Sequence, residues 1–275
     1  MDVSFNFREI ARWLGQPVQL FRFTRQTLAW CYTSADRVIS FAGDDYTPLA
    51  IERENLRESY ERQKRRVTIT LPASAAVCDN WRPSPLGDVI GVTILARHRG
   101  DDDVAVEWMG RVMQPKFTDS TCELTCDPSS GSARSNGLQL RWQRGCPFAL
   151  YGQGHGLCNL DAANFAAPAV LESVAGTAWS ASAWAGLPIG RLAGGYVEWV
   201  SDQGLLTRRS ITAHAGAAIT VDYVAPGLAA GIKVTAYHGC AHNYADCAAK
   251  GNSDNFGGCT KLPVKNPFSG MPIWW

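Results

Sequence analysis

The chain has 275 residues, of which 46% are hydrophobic and 19% charged, proportions typical of a folded globular protein rather than a disordered one. Its formal net charge is +1 and its pI is about 7.6, so the charge balance favours neither a nucleic-acid-binding protein nor one that lies on an anionic membrane. We find neither the apolar core of a signal peptide nor the roughly 20 apolar residues of a membrane span. We therefore expect synthesis and first folding in a cytosol.

Short runs that alternate apolar and polar residues and are rich in Val, Ile, Thr and aromatic residues predict β-strands along most of the chain. In chain order they are PVQLFRF, RVISF, RRVTITLP, VIGVTILARH, VAVEWMGRV, LQLRW, YVEWV, RSITAH, AITVDYV and IKVTAY. Short helices are predicted near residues 3–14 and 159–166, the second ended by Pro168. Because no βαβ alternation occurs, we predict a mainly antiparallel β fold.

Residues 51–66, IERENLRESYERQKRR, form the densest charge run of the chain. Its apolar residues are too sparse for a helix that faces a core. Two interpretations remain: a solvated edge strand or arm, and a subunit contact in which alternating charges set the register against a neighbour.

A domain boundary is predicted near residues 127–140, where DPSSGSARSNG is rich in Ser and Gly and poor in apolar residues. Composition changes beyond it, since six of ten tryptophans and five of nine cysteines follow residue 140. We therefore expect a β-rich N-terminal domain, residues 1–135, and a small C-terminal domain that is β-rich, loop-rich and cysteine-rich, residues 136–275.

Nine cysteines in a cytosolic protein favour metal ligation over a disulfide scaffold, because cytosolic thiols are kept reduced. Four of them are interpreted as small buried hydrophobes, since they lie in apolar, small-residue or alternating sequence: Cys31, Cys78, Cys122 and Cys126.

The other five lie in the C-terminal half. Cys146 and Cys158 are separated by eleven residues, Cys240 and Cys247 by six, and Cys259 follows in NFGGC. Neither spacing is the CxxC of a zinc finger or ribbon. Four thiolates can bind zinc or an iron–sulfur cluster, and buried structural thiols or disulfides remain alternatives at this point. Three glycines suit close backbone approach to such a site: Gly145, Gly156 and Gly239.

Histidines and acidic residues offer further candidates for chemistry. His155, His238 and His242 flank the cysteines, as in a mixed Cys/His zinc site or the Cys–His pair of a peptidoglycan hydrolase, although no third orienting residue is recognisable. The ordinary interpretation is that these histidines hydrogen-bond to groups around a site or lie at the surface. The acidic turn of Asp101, Asp102 and Asp103 is either a calcium site or a solvated loop. Five tryptophans are either core residues or interface anchors: Trp179, Trp184, Trp199, Trp274 and Trp275.

The order RWQRGCPFALYG…C, GGYVEWV, IKVTAYHGC…C and NFGG resembles phage tail proteins of the BR0599/DUF2163 family, and VQLFRF with WCYTSADRVISFAGDDYTPLAI resembles their opening hub domain. This family is similar to the tail-tip hub proteins of long-tailed phages and gene transfer agents. The resemblance implies a [4Fe–4S] cluster held by Cys146, Cys158, Cys240 and Cys247, with zinc as the alternative. Cys259 departs from the family pattern, which usually has an aromatic residue there. We expect a neutral replacement, and the alternative is that Cys259 competes with another cysteine for the cluster.

The resemblance also implies a structural, non-enzymatic role in the virion. It implies a tail-tip or baseplate hub that closes the tail tube as a symmetric ring, a homotrimer, and docks the central receptor-binding fibre. Its expected partners are other copies of itself, the distal tail protein, the central fibre and the tape measure protein. The cluster is expected to stabilise a loop-rich domain. Two alternatives remain: a tail-associated peptidoglycan hydrolase that uses a Cys–His pair, and a zinc-stabilised binding module.

Overall fold

The structure is a computed structural model that describes residues 17–56, 66–82, 87–98, 103–129 and 140–263. The chain falls into two compact units, residues 1–135 and residues 136–275. Each unit contains a β-sheet of its own, and nearly all strand pairs are antiparallel, so the prediction of a mainly β chain is confirmed. Within these ranges, no helix has the length and apolar character needed to cross a membrane. The predicted helix at 3–14, Asp101, Asp102, Trp274 and Trp275 lie outside the described residues.

The first unit contains a nine-stranded sheet. Its strands are β1 (Pro17–Arg25), β2 (Leu28–Thr33), β3 (Ile39–Phe41), β4 (Asp44–Pro48), β5 (Glu52–Arg53), β6 (Val67–Pro72), β7 (Gly91–His98), β8 (Val104–Phe117) and β9 (Thr121–Pro128). Their spatial order is β3-β4-β2-β1-β7-β8-β9-β6-β5, and only the β2–β4 pair is parallel among the described strands. A 3₁₀ helix, Ala76–Asn80, follows β6.

Strands β6 and β9 show how alternate residues of a strand face inward and form the core of the first unit. Every second residue of β6 is buried, beginning with Val67, and Val67 pairs in register with Cys126 of β9. Cys122 and Cys126 are fully buried on the same inward face of β9, and Cys78 of the 3₁₀ helix packs into the same core. Their interpretation as buried hydrophobes is therefore confirmed.

The described ends of the charge run make ion pairs within the first unit. Arg53 lies in the edge strand β5 and pairs with Glu107 of β8 at 2.7 Å. Arg66 pairs with Asp127 of β9 at 2.6 Å, and the Asp127 side chain is almost fully buried. Residues 57–65 lie outside the described residues, so the subunit contact stays a prediction.

The second unit contains a seven-stranded antiparallel sheet. Its strands are β10 (Ala166–Val170), β11 (Ser173–Ala175), β12 (Ala178–Ser180), β13 (Tyr196–Val200), β14 (Leu206–Ala215), β15 (Ala218–Val221) and β16 (Lys233–Tyr237), in the order β10-β16-β13-β14-β15-β12-β11. One α-helix, α1 (Tyr244–Ala249), follows β16, and 3₁₀ turns span Ala162–Phe165, Ser182–Trp184 and Ser253–Asn255.

Tryptophans form the centre of the second core. Trp179 and Trp184 are fully buried, and the rings of Trp179 and Trp199 meet edge to face with centroids 5.5 Å apart. The buried indole N–H groups donate to backbone carbonyls, Trp179 to Gly176 at 3.1 Å and Trp184 to Ala167 at 3.2 Å. The packing interpretation is confirmed for these three tryptophans.

Two local predictions are wrong. Residues 140–142, the described part of the predicted strand LQLRW, are irregular. The predicted helix at 159–166 is a single 3₁₀ turn capped by Asp161, and Pro168 lies inside β10 instead of ending a helix. Proline is tolerated there because β10 is an edge strand, where a missing N–H leaves no neighbour unpaired.

Candidate metal centre

Four cysteines from two distant segments of the second unit line one cavity: Cys146, Cys158, Cys240 and Cys247. Apolar side chains, including Phe148 and Leu160, form part of its wall. Its polar lining comes from the second segment and comprises His242, Asn243, Lys250, Asn252 and Asn255. The predicted ligand set is thus brought together from segments about eighty residues apart in the sequence.

The thiols are close enough to act on one another electrostatically. Burial raises the pKa of Cys247, and the charges of Cys146, Cys240 and Cys158 raise it further. Cys247 and Cys158 are buried, whereas the other two are half-buried. Burial also raises the pKa of Cys240, opposed by a hydrogen bond from the His242 N–H.

The four thiols do not adopt a coordination geometry. At a tetrahedral zinc site with Zn–S bonds of about 2.3 Å, the sulfurs lie roughly 3.8 Å apart. Among the described residues, no group of three or more His, Cys, Asp or Glu side chains is arranged to hold a metal ion. The cavity itself measures about 10 Å³, room for about one water molecule. Either occupant, a single ion or a cluster, therefore requires the thiol side chains to rearrange, while the donor set itself suits a soft metal.

Reciprocal hydrogen bonds join the first cysteine to the second pair. The Cys146 N–H donates to the carbonyl of His242 at 2.7 Å, and Nδ1 of His242 lies 3.1 Å from the carbonyl oxygen of Cys146. His242 has a positive φ of 52°, which turns the chain sharply after Cys240. Its own N–H points at Sγ of Cys240, 3.4 Å away, as in the N–H···S bonds that support metal thiolates.

Cys158 lies at the end of a tight loop without regular secondary structure. The Asn159 N–H donates to Gly152 O at 2.7 Å, and the Asn159 side chain accepts from the Gly154 N–H at 2.8 Å. Tyr151 and Asn159 both adopt the left-handed conformation, with φ of 60° and 56°. The Tyr151 hydroxyl donates to the carbonyl of His238 at 2.6 Å, which ties this loop to the chain just before Cys240.

Helix α1 presents Cys247 to the cavity. Asn243 caps it, since its side chain accepts from the Asp246 N–H at 2.8 Å. The Cys247 thiol contacts the carbonyl oxygen of Asn252 at 3.1 Å. The sequence prediction missed this helix, because six residues give no readable periodicity.

Asn252 links the two cysteine pairs and was not predicted either. Its buried side-chain amide donates to the Cys158 carbonyl at 2.6 Å and lies 3.8 Å from Sγ of Cys158. Its backbone N–H donates to the carbonyl of Cys247 at 3.0 Å, and its Oδ1 accepts from Asn255 at 2.7 Å. An isolated Asn after a cysteine motif carries no sequence signal that distinguishes this role.

Glycines permit a close backbone contact beneath Cys240. A Cβ on Gly239 would lie 1.7 Å from Ala193 O, and one on Gly195 would lie 2.1 Å from Tyr237 O. The predicted need for glycine is confirmed at Gly239. Gly145 has a looser fit, 3.4 Å from His242 O, and Gly156 faces open space with a positive φ of 69°.

The NFGG motif packs against the segment of the first cysteine. A Cβ on Gly257 would meet the Phe148 ring at 2.4 Å, and one on Gly258 would lie 2.5 Å from Arg144 O. The Cys259 N–H donates to Gln143 O at 2.8 Å. Cys259 is not among the residues that line the cavity, and all nine cysteines are free thiols.

The three histidines singled out from the sequence take different positions. His242 lines the cavity through the contacts above. His238 accepts from Nε of Arg191 at 3.2 Å, and burial, followed by the charge of Arg191, lowers its pKa. His155 is exposed.

Known proteins resemble the chain in sequence and in fold. It is 38% identical over 171 residues to an uncharacterized protein of Xylella fastidiosa (strain 9a5c), a match that covers 58% of this chain and 36% of that relative. The chain thus spans about a third of that relative's length. A solved structure, described as the virion of a native gene transfer agent particle, matches 99% of this chain and 96% of its own with a TM-score of 0.79. At 15% identity, this likeness shows a shared fold.

The family comparison covers the second pair of cysteines. Residues 190–266 include the glycine contact beneath Cys240, helix α1 with Cys247, and the NFGG motif. This segment of the chain matches the model of the family described as phage conserved hypothetical protein BR0599, which confirms the resemblance inferred from the cysteine motifs.

Proposed function

We propose that this chain is a non-enzymatic structural protein of a phage-type virion, a tail-tip hub whose C-terminal unit holds a [4Fe–4S] cluster through Cys146, Cys158, Cys240 and Cys247. The observation that carries the proposal is the shared cavity: these four thiols, drawn from two distant segments, line one small space in the unit that contains the family segment. The fold shared with a gene transfer agent virion protein supports the particle assignment.

The residues around the thiols suit a cluster of this kind. Cysteine thiolates are the usual ligands of [4Fe–4S] clusters, and N–H donors near the sulfurs tune such centres. The backbone N–H of His242 and the side-chain amide of Asn252 supply these donors. Phe148 and Leu160 form an apolar part of the cavity wall. When bound, the cluster supplies a covalent cross-link between the segments and a site that can take up an electron.

The cluster's role on this proposal is structural. The loop that carries Cys146 and Cys158 has no strand and only a single 3₁₀ turn between residues 140 and 165. Joining it to the Cys240 turn and to α1 through one group converts metal-binding free energy into folding free energy of the C-terminal unit. The irregular, glycine-dependent backbone around the cavity would thereby be fixed in one arrangement.

At the level of the particle, we propose a ring of identical subunits, a trimer, that closes the tail tube. The ring would contact the distal tail protein, the tape measure protein and the central fibre. A ring of this kind uses heterologous contacts, in which two different faces of each subunit meet. Mass spectrometry of purified particles should detect the chain in fixed ratio to other tail proteins. Its absence from intact particles would overturn the virion assignment.

Cysteine substitutions test the ligand assignment. Each of the four variants Cys146→Ser, Cys158→Ser, Cys240→Ser and Cys247→Ser should lose most of its iron and show faster hydrogen exchange in residues 140–263. Cys259→Ser is the matched control, because Cys259 lies in the same unit but does not line the cavity, and it should retain its iron. Iron retained by all four variants would contradict the assignment. Iron lost only in Cys259→Ser would instead identify Cys259 as a ligand.

A further inference from the structure

The wall of the four-cysteine cavity contains a buried lysine. The side chain of Lys250 is only 1% exposed, and it lines the cavity beside the thiols. A buried ammonium group is costly unless an opposite charge compensates it. An opposite charge should therefore lie close to Nζ of Lys250.

One carboxylate lies against this ammonium group. Nζ of Lys250 is 2.6 Å from Oδ2 of Asp246, one helical turn earlier in the chain. The same Oδ2 accepts from the Ala241 N–H at 2.9 Å. Ala241 directly follows Cys240, and Asp246 directly precedes Cys247. The Asp246 side chain therefore links the chain next to Cys240 with the chain next to Cys247.

The two charges are placed differently with respect to the thiols. Lys250 lines the cavity together with Cys240 and Cys247. Asp246 is not among the lining residues, and it reaches the site through its hydrogen bond with the Ala241 N–H and its ion pair with Lys250.

We propose that Lys250 and Asp246 are a charge pair that sets the reduction potential of the cluster, Lys250 raising it and Asp246 lowering it; this rests on the proposed function. Reduction adds one electron to the cluster, supplied by dithionite in a titration. A nearby positive charge stabilises the reduced form and a negative charge destabilises it, and local charge is one of the factors that set cluster potentials. Arg191, which donates to His238, is unchanged in all the variants below.

Potentiometric titration of the full-length protein, followed by visible absorbance and EPR, tests this pair. Lys250→Met should lower the reduction potential of the cluster. At a fixed solution potential the ratio of oxidised to reduced cluster should rise at least tenfold, which corresponds to a shift of about 59 mV for one electron. Asp246→Asn should raise it, because Asn keeps an oxygen acceptor for the Ala241 N–H but loses the charge. Lys250→Arg should stay close to the wild type. Lys233→Met, which removes an exposed lysine in β16, is the matched control and should leave the potential unchanged.

The opposite directions of the two expected shifts in reduction potential distinguish an electrostatic role from a merely structural one. A pair that only braces the fold would cause iron loss in both variants without shifting their potentials in opposite directions. Unchanged potentials, or shifts of the same sign, would overturn the inference while leaving the cluster in place. If Lys250→Met does not fold, the reduction potential of Asp246→Asn is the test: a raised potential supports the inference, and an unchanged or lowered one overturns it. A wild-type protein without iron would overturn the proposed function and this inference together.

Discussion

The bridge made by Asn252 leads to a quantitative prediction. Substituting Asn252 with Ala removes two short side-chain hydrogen bonds, the one donated to the Cys158 carbonyl and the one accepted from Asn255, as well as the longer contact with Sγ of Cys158. Each such bond contributes about 1 kcal/mol net, and the buried Cys158 carbonyl left without this donor costs about 1–3 kcal/mol. Because these contributions overlap, we expect Asn252→Ala to destabilise the C-terminal unit by about 2–4 kcal/mol.

Guanidinium denaturation, with hydrogen exchange of peptides from residues 140–263 to identify the transition of the second unit, measures this cost. Asn164→Ala is the matched control, because Asn164 is exposed in the same unit, and it should change stability by less than about 0.5 kcal/mol. An Asn252→Ala variant as stable as the control would refute the reasoning that Asn252 joins the two cysteine segments.

Three further predictions address packing. Gly195→Ala places a Cβ 2.1 Å from Tyr237 O and should lower the free energy of unfolding by about 3 kcal/mol or more, measured by thermal unfolding. Gly186→Ala, where a Cβ would have nothing within 4 Å, should not lower it. Equal melting temperatures would contradict the close contact. Trp184→Ala should cost about 3–5 kcal/mol, and Trp142→Ala, at an 86% exposed position, close to nothing; a similar cost for both would argue against the assigned core. Burial raises the pKa of Cys78 and Cys126 to about 12, so about one thiol in ten thousand is ionised at pH 8. Iodoacetamide should label both only after denaturation, and rapid labelling of the native protein would exclude this burial.

Strand positions were predictable because burial follows the alternation of residues. Val67, Ile69 and Leu71 alternate with threonines and face the core as the period of two requires, and Cys122 and Cys126 could be placed by the same reasoning. Prediction from composition failed in one exposed segment. Residues 140–142 have strand-like composition, but the structure gives them no strand.

The candidate site was predictable only in its cysteines. Their order and the family resemblance identify four thiols, but no local pattern reveals that Cys158 lies against Asn252, some ninety residues later. Lys250 is still less accessible to sequence reasoning, because lysine is ordinarily exposed. Its burial depends on Asp246, whose carboxylate is held by the turn after Cys240. Both residues therefore owe their role to the same three-dimensional arrangement that brings the cysteines together.

The central claim concerns what the four cysteines bind. Iron, acid-labile sulfide and zinc should be quantified in the full-length protein purified without oxygen, together with its visible absorption spectrum. We expect a brown protein with about four iron and four sulfide ions per chain, bleached by dithionite. A colourless protein that carries one zinc ion per chain, or no metal at all, would contradict the account.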